Sequence, residues 1–154
     1  ATKKAMKMRG HMDRLLAAAA AAAHAGEVPV AAAIVNPDGQ IIAMAENRMK
    51  RDGNALHHAE ILAIQAALAK TGQSRLAEYD LWVTLEPCTM CAGAIAHARI
   101  KRLYFAAHDE KAGAVESGVR FFDSQSCNHS PEIYSGISAS KSAALLQEFF
   151  AARR

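Results

Sequence analysis

With 154 residues, 51% apolar and 21% charged, the chain carries enough hydrophobic surface for one core, which excludes a disordered tract and a disulfide-stapled miniature. The formal net charge of +3 neither requires nor forbids a polyanionic partner, but Lys3, Lys4, Lys7, Arg9 and Arg14 crowd one end and Arg153 and Arg154 the other, so a basic patch forms if the ends meet. Three cysteines, two of them three positions apart, fit a metal site in a reducing compartment better than a disulfide framework; a single domain over 1–154 in the cytoplasm is the expectation.

In chain order, the basic start followed by Leu15, Leu16 and alanines to Ala23 superficially matches a secretory signal. The tract is alanine rather than leucine and ends in His24-Ala25-Gly26-Glu27, directly before an apolar run, so a helix over 12–25 with Gly26 as its cap is expected instead. No stretch approaches the ~20 strongly apolar residues of a membrane span. The run 28–35, the turn Asn36-Pro37-Asp38-Gly39 and the run 40–45 spell a hairpin, with Pro29 marking an irregular start. Ile61, Leu62, Ile64, Ala67 and Leu68 fall at helical spacing within 59–70, and Thr71-Gly72 stops that helix. A buried strand over 81–85 delivers the chain into Glu86-Pro87-Cys88. A small-residue helix over 89–98 and a strand over 101–106 follow; 107–131 is irregular, and an amphipathic helix closes 138–154 with Ala144, Leu145, Phe149 and Ala152 on one side. Strands alternating with helices predict an α/β fold, a mixed sheet covered by helices on both faces.

The chemistry concentrates in two places. His58-Ala59-Glu60 opens one helix, and Pro87-Cys88-Thr89-Met90-Cys91 turns from a strand into the next. Either half alone is a weak signal; together they make one metal site. Zinc prefers thiolate and imidazole donors, and a catalytic zinc keeps three protein ligands, here His58, Cys88 and Cys91, with the fourth position open to water. Two residues between the cysteines let both sulfurs reach one ion from a helix's first turn, where the N–H groups and dipole favour thiolates. Glu60, two residues past a ligand, is placed to take the water's proton and pass it on. This His-x-Glu and Pro-Cys-x-x-Cys pairing is the signature of zinc deaminases that act on bases. The competing reading, a structural zinc, requires a fourth ligand from His57, Cys127 or His129 and leaves Glu60 without a role.

Over nearly its whole length the sequence resembles the bacterial tRNA-specific adenosine deaminases. The likeness runs through Glu27-Val28-Pro29-Val30, Glu46-Asn47-Arg48, His58-Ala59-Glu60-Ile61, Val83 to Ala94 around the cysteines, Asp109-Glu110-Lys111-Ala112-Gly113-Ala114, Cys127-Asn128-His129 and Phe149-Phe150. The resemblance implies a three-layer cytidine deaminase-like fold with a five-stranded mixed sheet. It further implies one Zn2+ per subunit, a homodimer, and a tRNA anticodon stem-loop whose wobble adenosine becomes inosine. Carried over by position, Asn47 bonds the target nucleoside, and Ala59 and Pro87 line its pocket. Asp109, Lys111, Asn128 and His129 face the flanking nucleotides. For two of these the residue types allow a plainer reading, in which Asn47 caps a turn and Asp109 pairs with Lys111. Two departures stand out: Leu56-His57 replaces the family's threonine and small residue before the metal histidine, and Ala31 stands where glycine is common, beside the expected pocket floor. A deaminase of a free base or nucleoside and a non-catalytic RNA-binding subunit are the alternative functions.

Overall fold

The computed structural model describes residues 3–153, with side chains from Gly10 onward. Helix α1 (Lys3–His24) is followed by strands β1 (Ala31–Val35) and β2 (Ile41–Glu46), helix α2 (Ala59–Thr71), strand β3 (Asp80–Leu85), helix α3 (Thr89–Ala98), strand β4 (Arg102–Ala107), strand β5 (Glu132–Ser135) and helix α4 (Ala139–Ala151). The strands form one sheet in the order β2-β1-β3-β4-β5, antiparallel on the β2 side and parallel from β3 to β5. This is the mixed sheet expected. The basic patch at the two ends rests largely on the side chains of Lys3, Lys4, Lys7, Arg9 and Arg154, which lie outside the described residues. Arg153 folds back, its guanidinium 3.6 Å from the centre of the Phe149 ring.

Period-two alternation assigns the two faces. Ala31, Ala33 and Val35 of β1, Trp82 of β3, and Tyr104 and Ala106 of β4 point to one side and pack with Met12, Leu15, Leu16 and Ala19 of α1. Alanine on both surfaces lets that helix lie close to the strands. Trp82 also stacks on Tyr104 with ring centres 4.1 Å apart, and Tyr104 on Tyr134 at 4.9 Å. Helix α4 covers the same face, held where Ser142 donates to the Thr84 carbonyl. On the other side Ala32, Ile34, Leu81, Val83, Leu103 and Phe105 pack against α2 and α3 through Ala63, Ile64, Ala67, Ala92 and Ile95.

Helix α1 begins at Lys3 rather than at residue 12. Strand β1 begins at Ala31, not at residue 28, because Pro29 has no N–H and Val30 N–H turns back onto the Val28 carbonyl. Ala31 faces α1 rather than a pocket floor. The buried side of α4 carries Ser142 and Phe149, with Ala144, Phe150 and Ala152 exposed. Ile95 of α3 is fully enclosed in the core of this chain. Phe122 is buried and Phe121 packs on the same core.

Candidate metal centre

Parallel strands β3 and β4 run side by side to the same end of the sheet, where Leu85 pairs with Ala107, and the metal residues gather just beyond it. His58 is the N-cap of α2 and Cys88 the N-cap of α3, both in extended backbone without a side-chain cap bond, so the two side chains are free to meet. The carbonyls of the same two residues accept the first helical hydrogen bonds, from Leu62 and Ala92. Each ligand is thus tied to a rigid helix start on one edge and open on the other.

His58 Nδ1 lies 3.6 Å from Cys88 Sγ and 3.5 Å from Cys91 Sγ, and the three donor atoms all fall within 4.8 Å of one another. With zinc–sulfur and zinc–nitrogen bonds of about 2.3 and 2.0–2.1 Å, a tetrahedral angle separates the donors by about 3.6 Å. The triangle therefore has the size and chemistry of a zinc site, and His58, Cys88 and Cys91 would hold the ion. Among the described residues no fourth cysteine or histidine joins it. His57 Nδ1 sits 2.8 Å from Asp52, Cys127 donates to the His129 carbonyl, and His129 Nε2 is 2.6 Å from the Ile100 carbonyl. None of the three belongs to the donor group formed by His58, Cys88 and Cys91, so the structural-zinc set that the sequence left open is not assembled.

Electrostatics sort the groups. A hydrogen bond from Cys91, the His58 ring and the α3 N-terminus bring the Cys88 thiol down to about 4, so it is a thiolate at neutral pH. The same Cys88 thiolate, together with burial, pushes Cys91 up, and without a cation the pair carries one negative charge. Bonding to Cys88 raises His58. Glu60 is 4% exposed, and burial, assisted by the Cys88 charge, lifts it to about 7. A carboxyl poised there exchanges a proton readily near neutrality.

The substrate-side residues fall into two groups. Asn47 is buried beside the site; its Oδ1 accepts from Ala59 N–H and its Nδ2 donates to the Val28 carbonyl, linking the β1 approach to the start of α2. Pro87 is buried and accepts from Ala114 N–H. Asp109 Oδ1 accepts from the N–H groups of Lys111 and Ala112, so the loop is capped by the aspartate and not held by an Asp109–Lys111 ion pair. Asn128 and His129 are elsewhere: His129 is pinned to Ile100 where β4 begins, about 17 Å of strand from the Cys88 turn. The chain crosses back along the sheet to start β5 parallel to β4, which is why they are not at the site. Leu56 is exposed on the loop leading to His58. A cleft of about 370 Å3 touching Ala18, Met44, Leu62 and Ala66 opens beside edge strand β2 and contains none of the metal ligands.

Sequence reasoning missed two buried carboxylates. Glu27, 1% exposed, accepts from Lys50 N–H, Arg51 N–H and Arg51 Nε and braces the loop that carries Asn47 and leads to His58. Glu86, 2% exposed, does the same for the loop after β4. Burial works against both charges, but the N–H groups around them outweigh it and hold both below the ordinary 4.5. A carboxylate whose folded value is depressed stabilises above 4.5 and loses that contribution as pH falls through the lower folded value. Glu27→Gln is therefore expected to lower stability by about 1–3 kcal/mol at pH 7. The gap to wild type should close below pH 4.5 in urea melts taken across pH, whereas a gap independent of pH would refute the charge-based brace.

A mixed five-stranded sheet with this His/Cys/Cys triangle at the strand ends defines a zinc-dependent hydrolase of the cytidine deaminase-like class, and the family model of the MafB19-like deaminases matches residues 6–154. The chain is 49% identical over 150 residues to the tRNA-specific adenosine deaminase of Agrobacterium fabrum, covering 97% of this chain and 98% of that one, and 54% identical over 125 residues to that of Rickettsia bellii, covering 80% and 86%. It belongs to the tRNA-specific adenosine deaminase family. A solved structure from work on A-to-I editing by tRNA:A34 deaminases at the wobble position superimposes with a TM-score of 0.86 at 50% identity, covering 88% of this chain and 97% of that one. A guanine deaminase from Nitrosomonas europaea gives 0.76 at 25% identity, covering 93% and 84%. No helix among the described residues is long and apolar enough to cross a membrane.

Proposed function

We propose that this protein converts the wobble adenosine of a tRNA anticodon loop to inosine by hydrolysis, as a cytoplasmic homodimer of single deaminase domains with one zinc per subunit. The observation that carries the reading is the tetrahedral-sized His58, Cys88 and Cys91 triangle with buried Glu60 beside it, in a chain half identical to tRNA-specific adenosine deaminases along nearly its full length. Zinc, when bound, supplies the Lewis acid that makes water nucleophilic near neutral pH. Glu60 would take a proton from the attacking water as its oxygen adds to C6 of the unstacked adenine, deliver it to the ring nitrogen, and pass the water's second proton to the exocyclic amine. The C6–N bond breaks, ammonia leaves and a carbonyl remains.

Asn47 would orient the nucleoside through the amide hydrogen that is left after its bond to Val28. Ala59 and Pro87 with Cys88 would line the pocket. Asp109 and Lys111 would meet flanking nucleotides from the preformed loop, in keeping with how unstacked loop bases are read. Asn128 and His129, at the far end of β4, are outside this set.

Turnover of a zinc-loaded preparation on an anticodon stem-loop, against free adenosine, cytosine and guanine, is the test. Activity on the stem-loop with little on the free compounds is expected. Activity only on a free base, in the manner of the guanine deaminase neighbour, would overturn the tRNA reading. Sedimentation and metal analysis of the same sample check the dimer and the one-to-one zinc.

A further inference from the structure

Glu86 is joined to the catalytic turn by chain and to a distant loop by hydrogen bonds. Its Oε1 accepts from Asp109 N–H at 2.9 Å and Ser117 Oγ at 2.8 Å. Its Oε2 accepts from Val115, Glu116 and Ser117 N–H at 3.1, 2.8 and 2.9 Å. Together these donors exceed the roughly four lone-pair positions of a carboxylate, so no neutral side chain of this size can replace it. The loop comes so close that a Cβ on Gly113 would stand 2.4 Å from the Asp109 carbonyl oxygen and 2.5 Å from Glu86 Oε1. The loop is also stitched to the metal turn, with Ala114 N–H on the Pro87 carbonyl at 2.9 Å and an antiparallel bridge between Gly113 and Cys88. Apart from Gly113, Ala114 and Val115 the loop from 108 to 120 is largely exposed, and apolar burial alone does not order it.

We propose that Glu86 is a positioning residue that seats the 109–117 loop on the Pro87–Cys88 turn, so that the surface offered to nucleotides flanking the target is built before substrate arrives. The proposal deepens the tRNA reading and rests on it for the identity of the substrate. Glu86 touches neither the metal position nor the reacting atoms. Its effect passes through the loop, and the signature is a change in substrate affinity rather than in chemistry. Binding to a preordered loop avoids the entropy of ordering it.

The experiment compares zinc-loaded wild type, Glu86→Gln and Gly113→Ala by amide hydrogen exchange and by kinetics on an anticodon stem-loop. Glu86→Gln replaces an acceptor oxygen with an amide that faces N–H donors. Amides of Val115, Glu116 and Ser117 should then exchange about ten- to a hundredfold faster, KM should rise by a similar factor, and those at Val83 and Phe105 should keep their protection. Zinc content should be unchanged and kcat should move by less than about threefold. Gly113→Ala should reproduce the pattern, and the double variant should fall short of the product of the two, because both act through one loop.

Uniformly faster exchange across the sheet would make Glu86 a general core residue and overturn the proposal, as would loss of kcat at unchanged KM. If Glu86→Gln does not fold, Ser117→Ala removes only the hydroxyl bond and should shift KM and local exchange the same way by about two- to tenfold. Unchanged exchange in that variant refutes the role. A wild type inactive on the stem-loop is failure of the substrate reading instead, and the exchange pattern still decides whether Glu86 seats the loop.

Discussion

Glu60→Gln is expected to lower deamination by about 10²–10⁴-fold while the protein folds and retains zinc. The amide matches the carboxyl in shape, and the site accommodates the uncharged form, since burial raises the group to about 7. What is lost is the ability to accept a proton from water and return it to the ring and the leaving amine. Stem-loop turnover and zinc content measured on one preparation check this; unchanged turnover would refute the shuttle. Stability gives an independent readout in metal-free protein. A carboxyl whose folded value is raised contributes stability below its unfolded value of 4.5, and that contribution disappears as pH rises through about 7. Glu60→Gln has no such charge to bury, so its stability relative to wild type should climb across that window.

The elements most visible in the sequence are those whose partners are apolar and periodic. Helix α3 is found where predicted, and β3 and β4 shift by one residue, because Leu81, Val83, Leu103 and Phe105 are buried and alternate as strands must. Strand β5 gave no such signal. It is a four-residue edge strand in which Ile133 alone packs into the core, and its place is set by pairing with Arg102–Phe105, a property of the sheet and not of its own residues. The metal ligands were legible because coordination restricts both residue type and spacing. Glu27 and Glu86 were not, since a glutamate that accepts from backbone N–H groups tens of residues away looks like any surface glutamate. The one hint was position: Glu86 directly ends a buried apolar run and precedes the cysteine turn. The place of His129 was equally hidden: the crossover into β5 sets it where β4 begins, bonded to the Ile100 carbonyl.

Removing the metal should affect both stability and proton balance. A ligand that binds only the folded state at a thousandfold over its Kd stabilises by about 4 kcal/mol, which for a domain of this size corresponds to about 8–16 °C in Tm. Chelation should lower Tm by that order, and His58→Ala should show the low value with or without zinc, together with loss of activity. The metal-free site holds one thiolate, at Cys88, because the second charge is opposed by the first and by burial. A dication reverses that opposition, so Cys91 must give up its proton as the ion binds. His58, raised by its bond to Cys88, gives up a further fraction at neutral pH. Glu60, part-protonated near 7, gives up a fraction as well, so zinc binding at pH 7 is expected to release at least about one proton, and apparent affinity to rise with pH. Calorimetric titration in buffers of differing ionisation enthalpy reads this number directly. Release near zero would mean both thiols are already ionised in the metal-free protein, and the charge assignment at Cys88 and Cys91 would fall.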